Sequence, residues 1–237
     1  MLELKAVSKA FGGITVADRI DLTIAPGEAL GIIGPNGAGK SSLLNLITGM
    51  IRPDHGTILF DGKDITRAAP EERSRAGIGR LFQIPQPFDS LTVFENLLVA
   101  AMFGGHLAEG EAVQHCGEVL ARTGLDTHAN QPAGALRLLD RKRLEMARAM
   151  ATRPRLLLLD EIAGGLTEAE CHSLVATIRA VSASGVSIVW IEHVVHALLA
   201  VVERLIALDF GRVVMEGEPG AVMQSEIVQT IYMGVPA

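Results

Sequence analysis

Apolar runs separated by longer amphipathic stretches extend along most of the chain and predict alternating strands and helices. The unbroken apolar run at 29–34 is typical of a strand that is buried on both faces of a sheet, and the largely apolar runs at 155–160 and 186–193 also predict buried strands. Apolar residues at helical spacing follow two of these runs, at 40–50 and 168–184. Such strand–helix alternation predicts an α/β fold with a parallel sheet.

Turn-forming residue pairs predict β structure towards both ends of the chain. Residues 2–7 alternate apolar and charged side chains as a strand does, and Asp-Gly at 61–62 accepts the positive φ angles of a tight hairpin turn. Residues 204–219 are typical of two strands around a Phe-Gly turn. We therefore expect antiparallel hairpins at these places.

A helical pattern from about 92 to 153 lies between the β-rich regions. It opens with Thr92 and Glu95, which have the spacing of a capping box. Near its end, residues 135–150 have the pattern of an amphipathic helix. We expect an inserted helical subdomain at about 84–153.

Composition narrows the classes of protein to which the chain can belong. Its formal net charge of −6 argues against general affinity for nucleic acid, which is a polyanion. No apolar run approaches the roughly 18 residues that a membrane-spanning helix needs, and the first residues lack the apolar core of a signal peptide. Cys116 and Cys171 have no metal-ligand spacing, so we expect reduced thiols in a cytosolic protein.

Residues 34–42, Gly-Pro-Asn-Gly-Ala-Gly-Lys-Ser-Ser, match the phosphate-loop pattern between a buried strand and a helix. The small residues let several backbone N–H groups point at one phosphate chain, and the helix N-terminus adds partial positive charge. Lys40 is expected to reach the β- and γ-phosphates and Ser41 to hold Mg²⁺. The expected nucleotide-binding residues are Asn36, Gly37, Ala38, Gly39, Lys40, Ser41 and Ser42.

Polar residues follow three further apolar strands and are candidates for the chemistry. At Asp160-Glu161, one carboxylate can hold the Mg²⁺ shell and the other can orient and deprotonate a water molecule. His193 ends the next apolar strand, and since neighbouring parallel strands end at one edge of a sheet, we expect it beside Glu161. Gln83 ends the strand "GIGRLFQ", where its amide can contact both the metal shell and the water. On their own, His193 also fits a capping or core residue and Gln83 a loop residue.

In this order, these motifs resemble those of the ATP-binding cassette (ABC) ATPases along the whole chain. The resemblance implies an α/β P-loop NTPase cassette with a RecA-like parallel-sheet core, an N-terminal antiparallel β subdomain and the inserted helical subdomain at 84–153. The nucleotide core and β subdomain would then take up 1–83 and 154–237. Phe11 falls where an aromatic residue stacks on adenine, with Val16 nearby, although an ordinary hydrophobic plug is the alternative for Phe11. The implied catalytic residues are Gln83, Glu161 and His193, and the implied Mg²⁺ residues are Ser41, Gln83 and Asp160.

Four segments resemble more narrowly the ATPase subunits of bacterial branched-chain amino acid importers: "FGGITVAD", "LTVFENLLVA", "RKRLEMARAMATRPRLLLLDE" and "WIEHVVHAL". The resemblance implies ATP hydrolysis with Mg²⁺, in a head-to-tail pair with an identical or paralogous ATPase subunit. It implies integral-membrane permease partners, a periplasmic or external solute-binding protein as an indirect partner, no nucleic acid, and a peripheral position at the cytoplasmic face of the inner membrane. The solute stays open, because relatives serve urea and short amides too.

The family signature Leu-Ser-Gly-Gly-Gln is the motif from which the chain departs most. Counted back from Ala-Arg-Ala at 147–149, it falls on Leu136, Arg137, Leu138, Leu139 and Asp140, where only the leucine matches. In the family this motif caps the γ-phosphate of ATP held by the opposite subunit, so Arg137, Leu139 and Asp140 take nucleotide-contacting positions. Ile162 replaces a proline and Thr167 an acidic or amide residue in the loop after the carboxylate pair.

The altered signature raises a second hypothesis, a regulatory subunit that closes on ATP but hydrolyses it slowly. Glu161 and His193, both present, argue against it. A third hypothesis is a soluble family member that acts on ribosomes or DNA. Such proteins usually carry two cassettes or long coiled coils, and this acidic chain shows neither.

Overall fold

The computed structural model describes residues 1–233, and its strands form two separate β-sheets. In chain order, the strands are β1 (Leu2–Phe11), β2 (Ile14–Ile24), β3 (Ala29–Ile33), β4 (His55–Phe60), β5 (Lys63–Asp64), β6 (Ile78–Leu81), β7 (Leu156–Asp160), β8 (Ser187–Ile191), β9 (Arg204–Asp209) and β10 (Arg212–Gly217). The smaller sheet is antiparallel, in the order β2-β1-β4-β5. The larger has the order β10-β9-β3-β8-β7-β6, and in it only β10 pairs antiparallel.

Helices cover the larger sheet and form most of the middle of the chain. They are α1 (Lys40–Thr48), α2 (Pro70–Arg75), α3 (Val93–Val99), α4 (Glu109–Thr123), α5 (Leu138–Ala151), α6 (Glu168–Ser182), α7 (Val195–Leu199), α8 (Pro219–Gln224) and α9 (Glu226–Met233). A π-helical turn at Ala100–Gly104 continues α3. Within residues 1–233, no helix is both long and apolar enough to cross a membrane.

The parallel sheet confirms the α/β fold that the apolar runs predict. Every residue of β3, β7 and β8 is buried. One face of these strands packs against helices that include α5 and α6, and the other packs against α1 and the smaller sheet. α1 and α6 follow β3 and β7 as expected. β6 and β8 are shorter than predicted: they end at Leu81 and Ile191, so Gln83 and His193 lie in the loops beyond them and not at the strand ends.

Both predicted hairpin turns are present, with positive φ at each central residue. Asp61 and Gly62 have φ of 49° and 75°, and Phe210 and Gly211 have φ of 43° and 75°. The first strand extends to Phe11, beyond the predicted 2–7, because it pairs along its length with β2. The hairpin of β4 and β5 belongs to the smaller sheet, and the hairpin of β9 and β10 belongs to the larger one.

The helical middle begins with the predicted capping box. Glu95 N–H donates to Thr92 Oγ1 at 3.1 Å, and Thr92 N–H donates to the Glu95 carboxylate at 2.7 Å. α5 starts at Leu138, three residues later than the amphipathic pattern, since 133–135 form a 3₁₀ turn. The subdomain boundaries themselves stay a prediction.

Candidate nucleotide site

The phosphate loop joins β3 to α1 and has a conformation that its glycines make possible. Gly39 has φ of 102°, and a Cβ atom there would lie 2.3 Å from the carbonyl oxygen of Val16. No other residue fits without displacing that backbone. Lys40 is only 6% exposed, and its ammonium group donates to the carbonyl oxygens of Gly34 at 2.7 Å and Pro35 at 3.0 Å. Lys40 is thus held over the loop that is expected to bind phosphate.

The loop is braced by the turn between β9 and β10. Gly211 N–H donates to the carbonyl oxygen of Ala38 at 2.9 Å, and the carbonyl of Gly211 accepts from Asp18 N–H at 2.8 Å. Val16 lies between these contacts, beside Gly39. Phe11 is half-exposed at the end of β1, with the Lys9 ammonium 5.2 Å from its ring centroid. An exposed ring fits a stacking surface better than a hydrophobic plug.

Asp160 faces the start of α1 from the end of β7. Its Oδ1 accepts from Ser41 Oγ at 3.4 Å, and its Oδ2 pairs with the Arg80 guanidinium at 2.9 Å. Arg80 is almost buried and also donates to Asn45 Oδ1 on α1. The arginine holds one carboxylate oxygen, which leaves the other facing the serine hydroxyl.

Gln83 and His193 both contact the Glu161 carboxylate. The contact with His193 is the one expected from neighbouring parallel strands. Gln83 Nε2 and His193 Nε2 each lie 2.8 Å from a Glu161 oxygen. Because an ionised carboxylate only accepts hydrogen bonds, both nitrogens donate. Glu161 has φ of 50°, a conformation rare for a side chain of this size, and its N–H donates to the carbonyl of Ile191.

The charges of the site influence Lys40. Burial lowers the pKa of the Lys40 ammonium below 10.5, and the carboxylates of Glu161 and Asp160 oppose this shift. The lysine and the two acids therefore lie close enough to interact across the loop. A polyphosphate entering here would meet one ammonium group, backbone N–H groups and a helix N-terminus.

Residues 136–140 lead into the first turn of α5. Leu138 is 42% exposed, whereas Leu139 packs against the core. The Asp140 carboxylate pairs with Arg143 at 3.3 Å, and His128 Nε2 lies 4.0 Å from its other oxygen. Thr167, in the loop after the acids, caps α6 through a capping box with Glu170. The loop substitution thus has a structural role at the start of a helix.

Sequence reasoning missed two charged residues of the site, Arg80 and Glu192. Arg80 is the one charged residue of the short apolar strand β6, and Glu192 is an acid directly after the apolar strand β8. Isolated charges against buried strands need partners, and that requirement was the available signal. The identity of the partners is visible only in the fold.

The chain is similar in sequence and in structure to known proteins. A family model described as ABC transporter matches residues 17–164. The chain is 34% identical to the probable branched-chain amino acid transport ATP-binding protein LivG of Archaeoglobus fulgidus, over 99% of this chain and 95% of that one. It is 31% identical to the ADP conformation of MJ1267, an ATP-binding cassette of an ABC transporter, with a TM-score of 0.91 and 99% of each chain covered.

A dimeric relative has also been solved. It is a post-hydrolysis state of the cassette MJ0796 bound to ADP and Pi, 27% identical, with a TM-score of 0.79, 92% of this chain and 99% of that one covered. The family match spans the phosphate loop, Gln83 and the two carboxylates, and the relatives are similar along nearly the whole chain. The chain therefore belongs to the ABC transporter family, as one of its ATP-binding and ATP-hydrolysing cassettes.

Proposed function

We propose that this ATPase energises an importer for branched-chain amino acids or related small solutes, from the cytoplasmic face of the membrane. The observation that carries the proposal is the convergence of Gln83 and His193 on Glu161, next to Lys40 and the Ser41–Asp160 pair. The name of the LivG relative supports the solute class. The alternative, a regulatory subunit that hydrolyses ATP slowly, finds no support in this arrangement.

The residues at Asp160 fit a magnesium ion. Ser41 Oγ and Asp160 Oδ1 are hard oxygen donors 3.4 Å apart, and Mg²⁺ is usually held by one or two protein oxygens together with phosphates. Ser41 and Asp160 would hold the ion, with Gln83 near its shell. When bound, Mg²⁺ would neutralise charge on the phosphates. Arg80 keeps Asp160 turned towards Ser41.

In the hydrolysis step, Glu161 acts as the general base. The water oxygen bonds to the γ-phosphorus, the bond to the β–γ bridging oxygen breaks, and ADP leaves with that electron pair. Glu161 accepts the proton that the water loses. His193 holds the carboxylate in place through its 2.8 Å contact, and Lys40 binds the β- and γ-phosphates.

A second cassette and membrane subunits complete the proposed assembly. The dimeric MJ0796 structure supports a pair of cassettes. In the head-to-tail pair that we propose, ATP lies between the phosphate loop of one chain and residues 136–140 of the other. The pair would act on permease subunits, and a periplasmic or external solute-binding protein would deliver the solute to them. The partner cassette is either a second copy or a paralogue.

Reconstitution with candidate permease subunits in liposomes tests this function. We expect ATP hydrolysis to rise when a binding protein loaded with leucine, isoleucine or valine is present. A rise only with urea or a short amide would replace the solute class. Absence of ATP hydrolysis under every condition would refute the importer proposal.

We further expect the permease to dock on the loop at 84–91. Phe88 is 47% exposed there, while its N–H donates to Asn96 Oδ1 at 2.9 Å and the Arg148 guanidinium lies 5.1 Å from its ring. The backbone is therefore anchored and the ring available. Phe88→Asp should weaken assembly with the permease about 30-fold, the effect of losing a central aromatic contact, and leave the ATPase activity of the isolated chain intact.

Affinity capture of the permease measures this docking. Val113→Asp is the matched control, because Val113 is similarly exposed on α4, outside the loop. If the Phe88 variant assembles as well as the control, the ring only packs on the helical subdomain.

The altered signature predicts slow hydrolysis at the site it completes. A leucine in place of glycine hinders close approach of the backbone to phosphate, and losing one donor to a transition-state oxygen typically costs about 10²–10³ in rate. With a paralogue carrying an intact signature, the two ATP sites would be unequal. Arg143 pairs with Asp140 and reduces the repulsion between that carboxylate and phosphate.

Restoring the signature tests its register. Arg137→Ser with Leu138→Gly and Leu139→Gly should raise the turnover of the isolated chain by about 10²-fold. Thermal unfolding and ATP binding are measured in parallel, because Leu139 packs on the core. An unchanged rate in a folded, ATP-binding variant would mean that the native residues already perform the signature's role or that the register is wrong.

A further inference from the structure

Glu192 places a carboxylate between the two loops that carry Glu161 and His193. It is 2% exposed and directly follows β8. Its Oε2 accepts from Ala163 N–H at 2.9 Å, in the loop after β7. Its Oε1 accepts from the N–H groups of His193 at 2.9 Å and Val194 at 3.3 Å. One side chain thus ties both loops together through their backbones.

These hydrogen bonds begin where pairing between the strands stops. The β7–β8 ladder ends with Asp160 opposite Ile191, and Glu161 N–H still donates to the Ile191 carbonyl at 2.9 Å. Two residues further on, the acceptor for Ala163 N–H is the Glu192 side chain. Beyond the end of the paired strands, the Glu192 carboxylate therefore continues to link the two chain segments. It binds the backbone of the loop that carries Glu161 and the backbone of the loop that carries His193.

The surroundings of Glu192 explain how a carboxylate can be buried there. Lys142, on the helix that follows the signature, is 5% exposed; burial lowers the pKa of its ammonium and the Glu192 carboxylate opposes that shift. On α6, burial and then Glu192 raise the pKa of the Cys171 thiol. Glu192 lies where two helices and both loops meet, with three N–H donors and one ammonium to compensate its charge.

We propose that Glu192 is a positioning residue for ATP hydrolysis: it fixes the backbone at His193 against the loop at Ala163 and so sets the contact between His193 and Glu161. The inference rests on the proposed roles of those two residues. Misplacement of a reacting group by about 1 Å can cost about 10²-fold in rate, so this tie matters even though Glu192 itself contacts neither water nor phosphate.

Glu192→Gln is the sharpest substitution, because it keeps the size of the side chain. The amide keeps one acceptor oxygen and presents its NH₂ group to a backbone N–H, so one of the two loops is released. We expect kcat to fall by about 10- to 100-fold, while ATP affinity changes by less than about twofold. Trp190, the only tryptophan and fully buried on β8, reports by its emission maximum that the fold is intact.

Measuring Glu192→Gln in a His193→Ala enzyme separates positioning from general destabilisation. If Glu192 acts through His193, then Glu192→Gln should change kcat by less than about threefold in that enzyme, because the effects of residues that act as a unit are not additive. Adding Lys142→Met to Glu192→Gln removes the uncompensated ammonium and should not restore kcat. Full restoration would mean that charge balance alone underlies the effect.

Glu28→Gln is the matched control. Glu28 is also a largely buried carboxylate that accepts a hydrogen bond from a backbone N–H, that of Ala25, and it pairs with Arg204. It directly precedes β3, whereas the phosphate loop follows the other end of that strand. Its loss should lower stability without lowering kcat.

Equal losses of kcat in the Glu28 and Glu192 variants, or an equal effect of Glu192→Gln with and without His193, would overturn the inference. Normal kcat in Glu192→Gln beside an inactive Glu161→Gln enzyme would overturn it while the proposed function stands. Absence of ATP hydrolysis by the parent enzyme would instead refute the proposed function.

Discussion

Replacing Glu161 by glutamine is expected to lower ATP turnover by about 10²- to 10⁴-fold while ATP still binds. The amide has the same shape, but it cannot accept the proton that the attacking water loses. Its carbonyl oxygen can still accept one hydrogen bond, from His193 or Gln83, so the loops should stay in place. The variant therefore isolates basicity from geometry.

Phosphate release and the affinity for ATP are the two quantities to measure for this variant. Glu168→Gln is a suitable control, because Glu168 is an exposed acid in the first turn of α6. We expect the control to turn over ATP at the parent rate. Hydrolysis by Glu161→Gln at a rate comparable to that of the parent would remove Glu161 as the general base.

Lys40→Ala should act at the preceding step and weaken the binding of ATP itself by about 10- to 100-fold. Charged hydrogen bonds contribute about 1.5–3 kcal/mol, and each 1.4 kcal/mol is a factor of ten in affinity. The substitution also removes the ammonium that interacts electrostatically with Asp160 and Glu161, which makes the site more repulsive to a polyanion.

Titration calorimetry with ATP measures that loss directly. Lys63→Ala removes the same charge from an exposed position on β5 and should bind ATP as the parent does. Parent-like affinity in the Lys40 variant would contradict the phosphate-loop assignment. Together, the Glu161 and Lys40 variants should separate turnover from binding.

The elements that the sequence predicts best are those with local causes. The buried strands consist almost entirely of apolar residues, the phosphate loop needs glycines at fixed spacing, and Thr92 and Glu95 stabilise a helix start within four residues. The meeting of Glu161 with His193 was also predictable, since it follows from adjacent parallel strands.

The contacts between distant segments could not be predicted in the same way. Nothing in the pattern of β6 shows that Arg80 pairs with Asp160, eighty residues later, or that Glu192 binds the backbone of Ala163. The strand order is equally non-local, although some consecutive strands of the chain, such as β7 and β8, lie side by side. Arg143 is an exception, because its pairing with Asp140 lies three residues along one helix and could have been inferred from that spacing.

The central position of β3 has a consequence for how the protein is made. The phosphate loop is complete at residue 42, yet its strand lies between β8 and β9, and Gly211 braces the loop. During synthesis, β3 leaves the ribosome before its neighbouring strands. About 170 further residues, made at roughly 5–20 residues per second, must follow before β8, β9 and Gly211 are all available to pack against it. For that interval the nascent chain carries a nucleotide motif without its scaffold, and a strand whose unpaired edges expose it to aggregation or to chaperones.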